Sequence, residues 1–300
     1  MSKFGVMVMG PAGAGKSTFC ASLITHLQLN RRSYFYVNLD PAAESFEHQP
    51  DLDIKDLISL EDVMDELKLG PNGGLIYCFE FLMENLNFLE EALNSLTEEY
   101  LIIFDMPGQI ELYTHVPILP TLVHFLRQPG NLDIRLCAAY LLEATFVVDK
   151  AKYFAGSLSA MSAMYMLGLP HLNILSKMDL VKDAMRKKDF KKFIVPDTSL
   201  LDDDPAEIAA RKAGIDIEPQ NSSDDPKDKE AVISGAVFKR LNAAVAELLE
   251  RFSMVQYLKL DCTDEDSLSG ILSYIDDAIQ WAEAQEPKEI PDEEFDEPEE

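Results

Sequence analysis

Residues 3–9 (KFGVMVM) run almost without a polar break, the pattern of a strand buried on both faces of a parallel sheet. From Gly15 to Leu29 the period changes. Phe19, Leu23, Ile24 and Leu27 recur at helical spacing and form one apolar stripe, which predicts a helix. A second strand is predicted over 33–39 (SYFYVNL), closed by Asp40-Pro41, and a helix over 53–67 through Ile54, Leu57, Ile58 and Val63. GPNGG at 70–74 reads as a tight turn, and 75–96, rich in aromatic, Leu and Met positions, as one helix. Segment 100–104 (YLIIF) is a strand that ends in Asp105. Helix, strand and helix follow over 111–127, 134–142 and 151–167, and a strand over 170–175 runs into SKMD at 176–179. Residues 182–230 break the rhythm with a basic stretch from Arg186 to Lys192, then DDDP, then a polar run containing SSDDP. They are expected to form a helical insertion with a flexible middle. A helix over 231–252, a strand over 255–260 and a helix over 265–284 resume the alternation. Residues 286–300 are acidic with no core pattern, so a disordered tail is expected. The alternation predicts an α/β fold, a parallel sheet flanked by helices in three layers, as one domain over 1–285.

Composition narrows the function classes. The 300 residues are 47% hydrophobic and 26% charged, enough apolar material for a sizeable core. With 53 acidic against 26 basic residues the net charge is -27, which argues against direct binding to nucleic acid or to an anionic membrane. A positive cleft for one ligand remains compatible with that total. No apolar run approaches the length of a membrane span, and the apolar N-terminus leads directly into a glycine loop, as a buried strand does rather than a secretory signal. Cys20, Cys78, Cys137 and Cys262 are widely spaced with no CxxC pair, so free thiols in a reducing, cytoplasmic compartment are expected.

Residues 10–18 read GPAGAGKST and match G-x-x-x-x-G-K-[ST] at Gly10, Gly15, Lys16 and Ser17. Glycines let successive N–H groups curl toward phosphate oxygens, and the following helix adds its positive end. Gly13, Ala14, Gly15 and Thr18 would complete the wrap. Lys16 would reach the β- and γ-phosphates, and Ser17 would place its hydroxyl on Mg²⁺. A chance glycine turn would lack the strand before it and the amphipathic helix after it.

Ligands of open α/β sheets sit at the carboxyl ends of strands, where Asp40 and Asp105 fall. Asp105 begins DMPGQ: it would hold Mg²⁺, the Gly108 N–H would contact the γ-phosphate, and Gln109 would orient the attacking water. The bland reading of Asp105 is a cap. Asp40 would position the water or contact Mg²⁺, or merely cap the turn at Pro41. Glu111 would assist, or be a solvated helix-start glutamate. SKMD is a variant of N-K-x-D. The Asp179 carboxylate would accept from both N–H groups on the guanine edge, which adenine cannot offer, and the Lys177 stem would cover the base plane. Ser176 stands where Asn is usual, putting a loop-bridging hydrogen bond in question. The loop at Asp261, Cys262 and Thr263 would close over the base.

With NLDPAAE (38–44), GPN (70–72), DMPGQIELYTH (105–115) and SKMD, the chain resembles the GPN-loop GTPases, of the SIMIBI class of P-loop proteins. The similarity covers about 1–182 and 231–284. The acidic end and LDCTDEDS (260–267) are most like the third eukaryotic branch of the family. The resemblance implies a Mg²⁺-dependent GTP/GDP switch acting as a dimer, either a heterodimer with a paralogous GPN-loop GTPase or a homodimer. Gly70, Pro71 and Asn72 would enter the partner's site, with Asn72 near the γ-phosphate or the attacking water, and Asp40, Gln109 and Glu111 around that water. It implies a role with RNA polymerase II subunits, in their assembly and nuclear import, hence shuttling to the nucleus. Glu143 in YLLEATF departs from the Asp expected after that strand. Two other functions fit the same loop: a P-loop kinase, which needs a basic lid such as 186–192, and an adaptor that binds nucleotide with little turnover.

Overall fold

The computed structural model describes residues 2–114, 117–181, 192–195, 241, 244–248 and 255–285. Seven strands form one sheet: β1 (Lys3–Met9), β2 (Tyr34–Asn38), β3 (Leu52–Asp53), β4 (Leu101–Asp105), β5 (Ile134–Glu143), β6 (His171–Ser176) and β7 (Tyr257–Lys259). Their order is β3-β2-β4-β1-β5-β6-β7, and every neighbouring pair is parallel. The apolar run of β1 is explained by its central place: all seven of its residues are buried. Alternation sends them to opposite faces. Met7 and Met9 join one core with Val37, Ile102, Phe104 and Tyr140, while Phe4, Val6 and Val8 join the other with Ile103, Cys137, Ala139 and Leu141.

Helix α1 (Lys16–Leu29) lays Phe19, Leu23, Ile24 and Leu27 on the second face, the stripe read from the sequence. The first face is covered from α3 (Pro71–Glu84), α4 (Asn87–Asn94), α6 (Ile118–Arg127) and α7 (Lys150–Leu167). Near the carboxyl end of the chain, α8 (Glu265–Ile279) shares the α1 side through Leu268, Ile271, Leu272 and Ile275, and the short α9 (Trp281–Gln285) follows it. A third cluster under β6 and β7 includes Phe193, whose carbonyl accepts from the Tyr153 hydroxyl at 2.8 Å.

Four predicted elements differ from the structure. Residues 53–67 are not one helix: β3 comes first, then a 3-10 turn (Ile54–Asp56) capped by Asp53, and α2 runs over Leu60–Leu67 with Ser59 as N-cap. GPNGG is the start of α3 rather than a tight turn, with Gly70 as N-cap and Pro71 where a missing N–H is harmless. The helix expected over 75–96 breaks at Asn85, whose side-chain amide bonds the Phe81 carbonyl at 2.8 Å and competes with the backbone. The helix expected over 111–127 is split into α5 (Glu111–Thr114) and α6, with Pro117 immediately before α6. The expected insertion lies outside the described residues apart from 192–195, as does the acidic tail; of the helix expected over 231–252, residues 241 and 244–248 are helical. No helix among the described residues is long and apolar enough to cross a membrane.

Gly10 is where the fold sets the site. Its φ is +138°, and a Cβ placed there would lie 2.2 Å from the Leu141 carbonyl oxygen. Gly10→Ala therefore combines backbone strain with a clash against a central strand, and is expected to cost about 2–4 kcal/mol of stability. Chemical denaturation measures this; an unchanged midpoint would contradict the packing.

Candidate functional site

Outside α3, the candidate site residues come from the carboxyl ends of the strands, the turns that follow them and the first turns of α1 and α5. The pairing Val8↔Asp105 and Asn38↔Asp105 brings the exits of β1, β2 and β4 together, and Glu143↔Ser176 does the same for β5 and β6. Between β1 and α1 the chain turns through Gly13 (φ +79°) and Gly15 (φ +84°), with Gly15 as the N-cap of α1. Gly13, Ala14, Gly15, Ser17 and Thr18 thus surround the amino end of a helix of 14 residues, the geometry that favours an anion. Lys16 folds back over this loop and donates to the Pro11 carbonyl at 3.3 Å. Burial lowers its pKa, opposed by the charges of Asp105 and Asp40.

Asp105 is 2% exposed at the end of β4. Burial pushes its carboxyl up to about 6, against the opposing effects of the Ser17 hydroxyl, the Lys16 ammonium and the Tyr36 hydroxyl. Tyr36 donates to Asp105 Oδ2 at 3.2 Å, whereas Oδ1 is buried without a hydrogen-bond partner among the described residues. An orphaned carboxylate oxygen is costly and is the group a hard cation satisfies. The donor chemistry here, Ser17 hydroxyl and Asp105 Oδ1 with Asp40 near Lys16, fits Mg²⁺. Among the described residues no cluster of three or more His, Cys, Asp or Glu could cage a metal alone, so further ligands would come from water and phosphate.

Asp40 does cap its turn: Oδ1 accepts from the Ala42 N–H at 2.9 Å. The same carboxyl is raised by burial and interacts with Lys16, so capping and a place at the site coexist. Asn38 braces this corner, donating to Asp53 Oδ1 at 2.8 Å. After Asp105 the turn packs on the glycine loop. A Cβ at Gly108 would lie 2.8 Å from Ala12 Cα and 3.0 Å from Lys16 Nζ, so only glycine permits the approach. Tyr113 is buried beneath this turn and donates to the Pro107 carbonyl. Gln109 is half-buried on the turn, and Glu111 is exposed at the start of α5.

The second half of the site is a cleft of about 230 Å³ lined by Gly15, Thr18, Ser176, Lys177, Asp179, Asp261, Cys262 and Thr263. Ser176 bridges the loops despite replacing Asn: its hydroxyl reaches the Ala14 carbonyl at 2.6 Å. Lys177 adopts a left-handed backbone (φ +56°), and its Cε lies 3.8 Å from where a Gly15 Cβ would stand. Asp179 is exposed at the cleft. Across it, the Thr263 N–H and hydroxyl both donate to Asp261 Oδ1, at 3.0 and 2.6 Å.

The structure thus gathers Lys16, Ser17, Asp40, Asp105 and Gly108 on one side of the α1 amino end and Ser176, Lys177, Asp179 and Thr263 on the other. Gly70, Pro71 and Asn72 are exposed at the start of α3, and Asn72 has no side-chain hydrogen-bond partner among the described residues. Tyr36 and Tyr113 are site residues that sequence reasoning missed. A buried tyrosine announces a need for a hydroxyl partner, but not which one.

A family model described as "Conserved hypothetical ATP binding protein" matches residues 8–281. A GPN-loop GTPase 3 from Gibberella zeae is 71% identical over 295 residues, covering 98% of each chain. Proteins of the same name from Aspergillus fumigatus and Saccharomyces cerevisiae are 64% and 52% identical, covering 98% and 96% of this chain and 97% of each relative. A crystal structure of a GTPase in apo form from Pyrococcus abyssi superposes with a TM-score of 0.66 at 20% identity, over 92% of this chain and 97% of that one, a likeness of fold. The chain belongs to the GPN-loop GTPase family.

Proposed function

We propose that the chain binds GTP with Mg²⁺ and hydrolyses it as a molecular switch, working as a dimer. The observation that carries the reading is the pairing of two half-sites across one helix end. Phosphate chemistry (Lys16, Ser17, Asp105, Gly108) lies on one side, and a cleft with an exposed carboxylate, Asp179, on the other. The relatives' name, GPN-loop GTPase, supports GTP as the substrate.

On this reading the loop N–H groups and the Lys16 ammonium take the phosphates, and Asp179 pairs with the guanine N1–H and N2–H₂. Ser17 and Asp105 would hold Mg²⁺, with Asp40 beside them, and the ion would neutralise charge developing on the phosphates. Gly108 offers its N–H to the γ-phosphate. Asp40 and Gln109 orient the water, with Glu111 in reach of the same turn. Turnover is slow unless the site is completed. The family resemblance supplies the completion: Asn72, on an exposed helix start, enters the site of a second protomer, either a paralogue or another copy. The same resemblance supports clients among RNA polymerase II subunits and a part in their assembly and nuclear import.

Calorimetric titration tests the core of this reading. GTP and GDP are expected to bind in Mg²⁺ and ATP to bind far more weakly; equal affinity for ATP would overturn it. Lys16→Ala should abolish binding. Asp179→Ala removes a charged hydrogen-bond pair worth about 1.5–3 kcal/mol, so GTP affinity should fall about 10–100-fold while ATP affinity changes little. Chelating Mg²⁺ should weaken GTP more than GDP. In the assembled dimer Asn72→Ala should slow turnover by about 10²-fold; unchanged turnover would remove the trans-acting role.

A further inference from the structure

Glu143 closes β5 at the point where the base-side cleft begins, yet it does not line the cleft. Both of its carboxylate oxygens are engaged. Oε1 accepts from the Thr145 hydroxyl at 2.7 Å, and Oε2 from the Lys177 ammonium at 3.3 Å. The pair is partly exposed, at 24% for Glu143 and 36% for Lys177, and an ion pair so open to water adds little to folding stability. What it changes is where Lys177 points. The lysine starts from a left-handed backbone, runs past Gly15, and ends on a carboxylate whose own rotamer Thr145 fixes. A free lysine stem would sweep many rotamers; this one is held at both ends against the wall of the cleft.

We propose that Glu143, locked by Thr145, is a positioning residue that pre-organises the Lys177 stem over the plane of the bound base. The inference rests on the reading of the cleft as a guanine site. Because the stem meets the face of the base and not its edge, the effect is on how tightly a purine is held, not on which purine is chosen. Asp179 does the choosing. The longer side chain of Glu, where Asp was expected, is what spans from the end of β5 to the lysine ammonium. The work of Glu143 therefore separates from that of Asp179 in a comparison of GDP with IDP, which lacks the N2 amine.

The test is the dissociation rate of fluorescent GDP and IDP from the full-length protein with Mg²⁺, for wild type, Glu143→Ala, Glu143→Gln, Lys177→Met and the double variant Glu143→Ala/Lys177→Met, with fluorescent ADP on wild type as the base control. Glu143→Ala is expected to release both nucleotides about three- to tenfold faster, by the same factor for each, as expected for losing one immobilised side chain. Glu143→Gln, which keeps an acceptor of the same length but not the charge, should fall between. In the Lys177→Met background, Glu143→Ala should change nothing further, and the melting temperatures should agree within a degree or two. A Glu143→Ala rate equal to wild type overturns the proposal, as does an equal slowing or speeding in the Lys177→Met background, which would mean that Glu143 does not act through the lysine. If wild type itself holds ADP as tightly as GDP, the guanine reading fails, and this proposal with it. A wild type that prefers GDP with Glu143→Ala indistinguishable from it sinks the positioning role alone.

Discussion

A lysine ammonium and an aspartate carboxylate are held largely out of water at the carboxyl end of the sheet, and the rest of the molecule is arranged around making that tolerable. Among the described residues Lys16 has a loop carbonyl at 3.3 Å and the charges of Asp105 and Asp40 to offset its burial. Asp105 has one oxygen bonded by Tyr36 and one with no hydrogen-bond partner in the geometry of the described residues. An isolated protein does not gain stability from such a pair, because desolvation takes back most of what Coulomb attraction supplies. A site left short of donors and acceptors gains instead when a ligand brings phosphate oxygens and a hard cation. The sheet makes the shortfall rigid: Gly10 is pinned under the Leu141 carbonyl, and Gly108 is pressed on Ala12, so neither the loop nor the turn can relax to bury the charges otherwise.

The base side follows a different logic. It is open to solvent and built from short bridges between loops, Ser176 to Ala14 and Lys177 to Glu143, beside a loop after β7 that Thr263 and Asp261 tie to itself. None of these is worth much to folding. Together they fix the relative positions of three strand exits, which is what recognition of a flat ring requires. The substitution of Ser for Asn at 176 shows how the bridge survives a change of residue type. A shorter side chain carrying one hydroxyl still reaches the glycine-loop carbonyl, because β6 runs close beside β5 and delivers it there.

Much of this was legible in the amino-acid sequence where the physics is local or periodic. The central strands declared themselves by unbroken apolar runs, α1 by its stripe, the phosphate loop by glycine spacing before a helix. Asp40, Asp105 and Asp179 were readable because strand ends face the ligand in any open α/β sheet. Where tertiary geometry decides, the reading ran out. GPNGG looks like a turn by composition, but Pro71 is equally at home as the first residue of a helix, and only packing of α3 chooses between them. Residues 53–67 carry helical spacing, yet Asp53 is taken by Asn38 of β2, which draws the segment into the sheet edge first. Tyr36 and Tyr113 find partners 69 and 6 residues away, one a carboxylate and one a carbonyl, pairings that spacing does not encode.

Diffraction from crystals grown with Mg²⁺ and a non-hydrolysable GTP analogue would show what fills the charged end of the sheet. Phosphate oxygens should lie against the N–H groups of residues 13–17, an ion should touch the Ser17 hydroxyl with Asp105 beside it, and the guanine should sit between Lys177 and Thr263 with its N1 and N2 facing Asp179. A nucleotide bound elsewhere, or with its base turned away from Asp179, would contradict that arrangement.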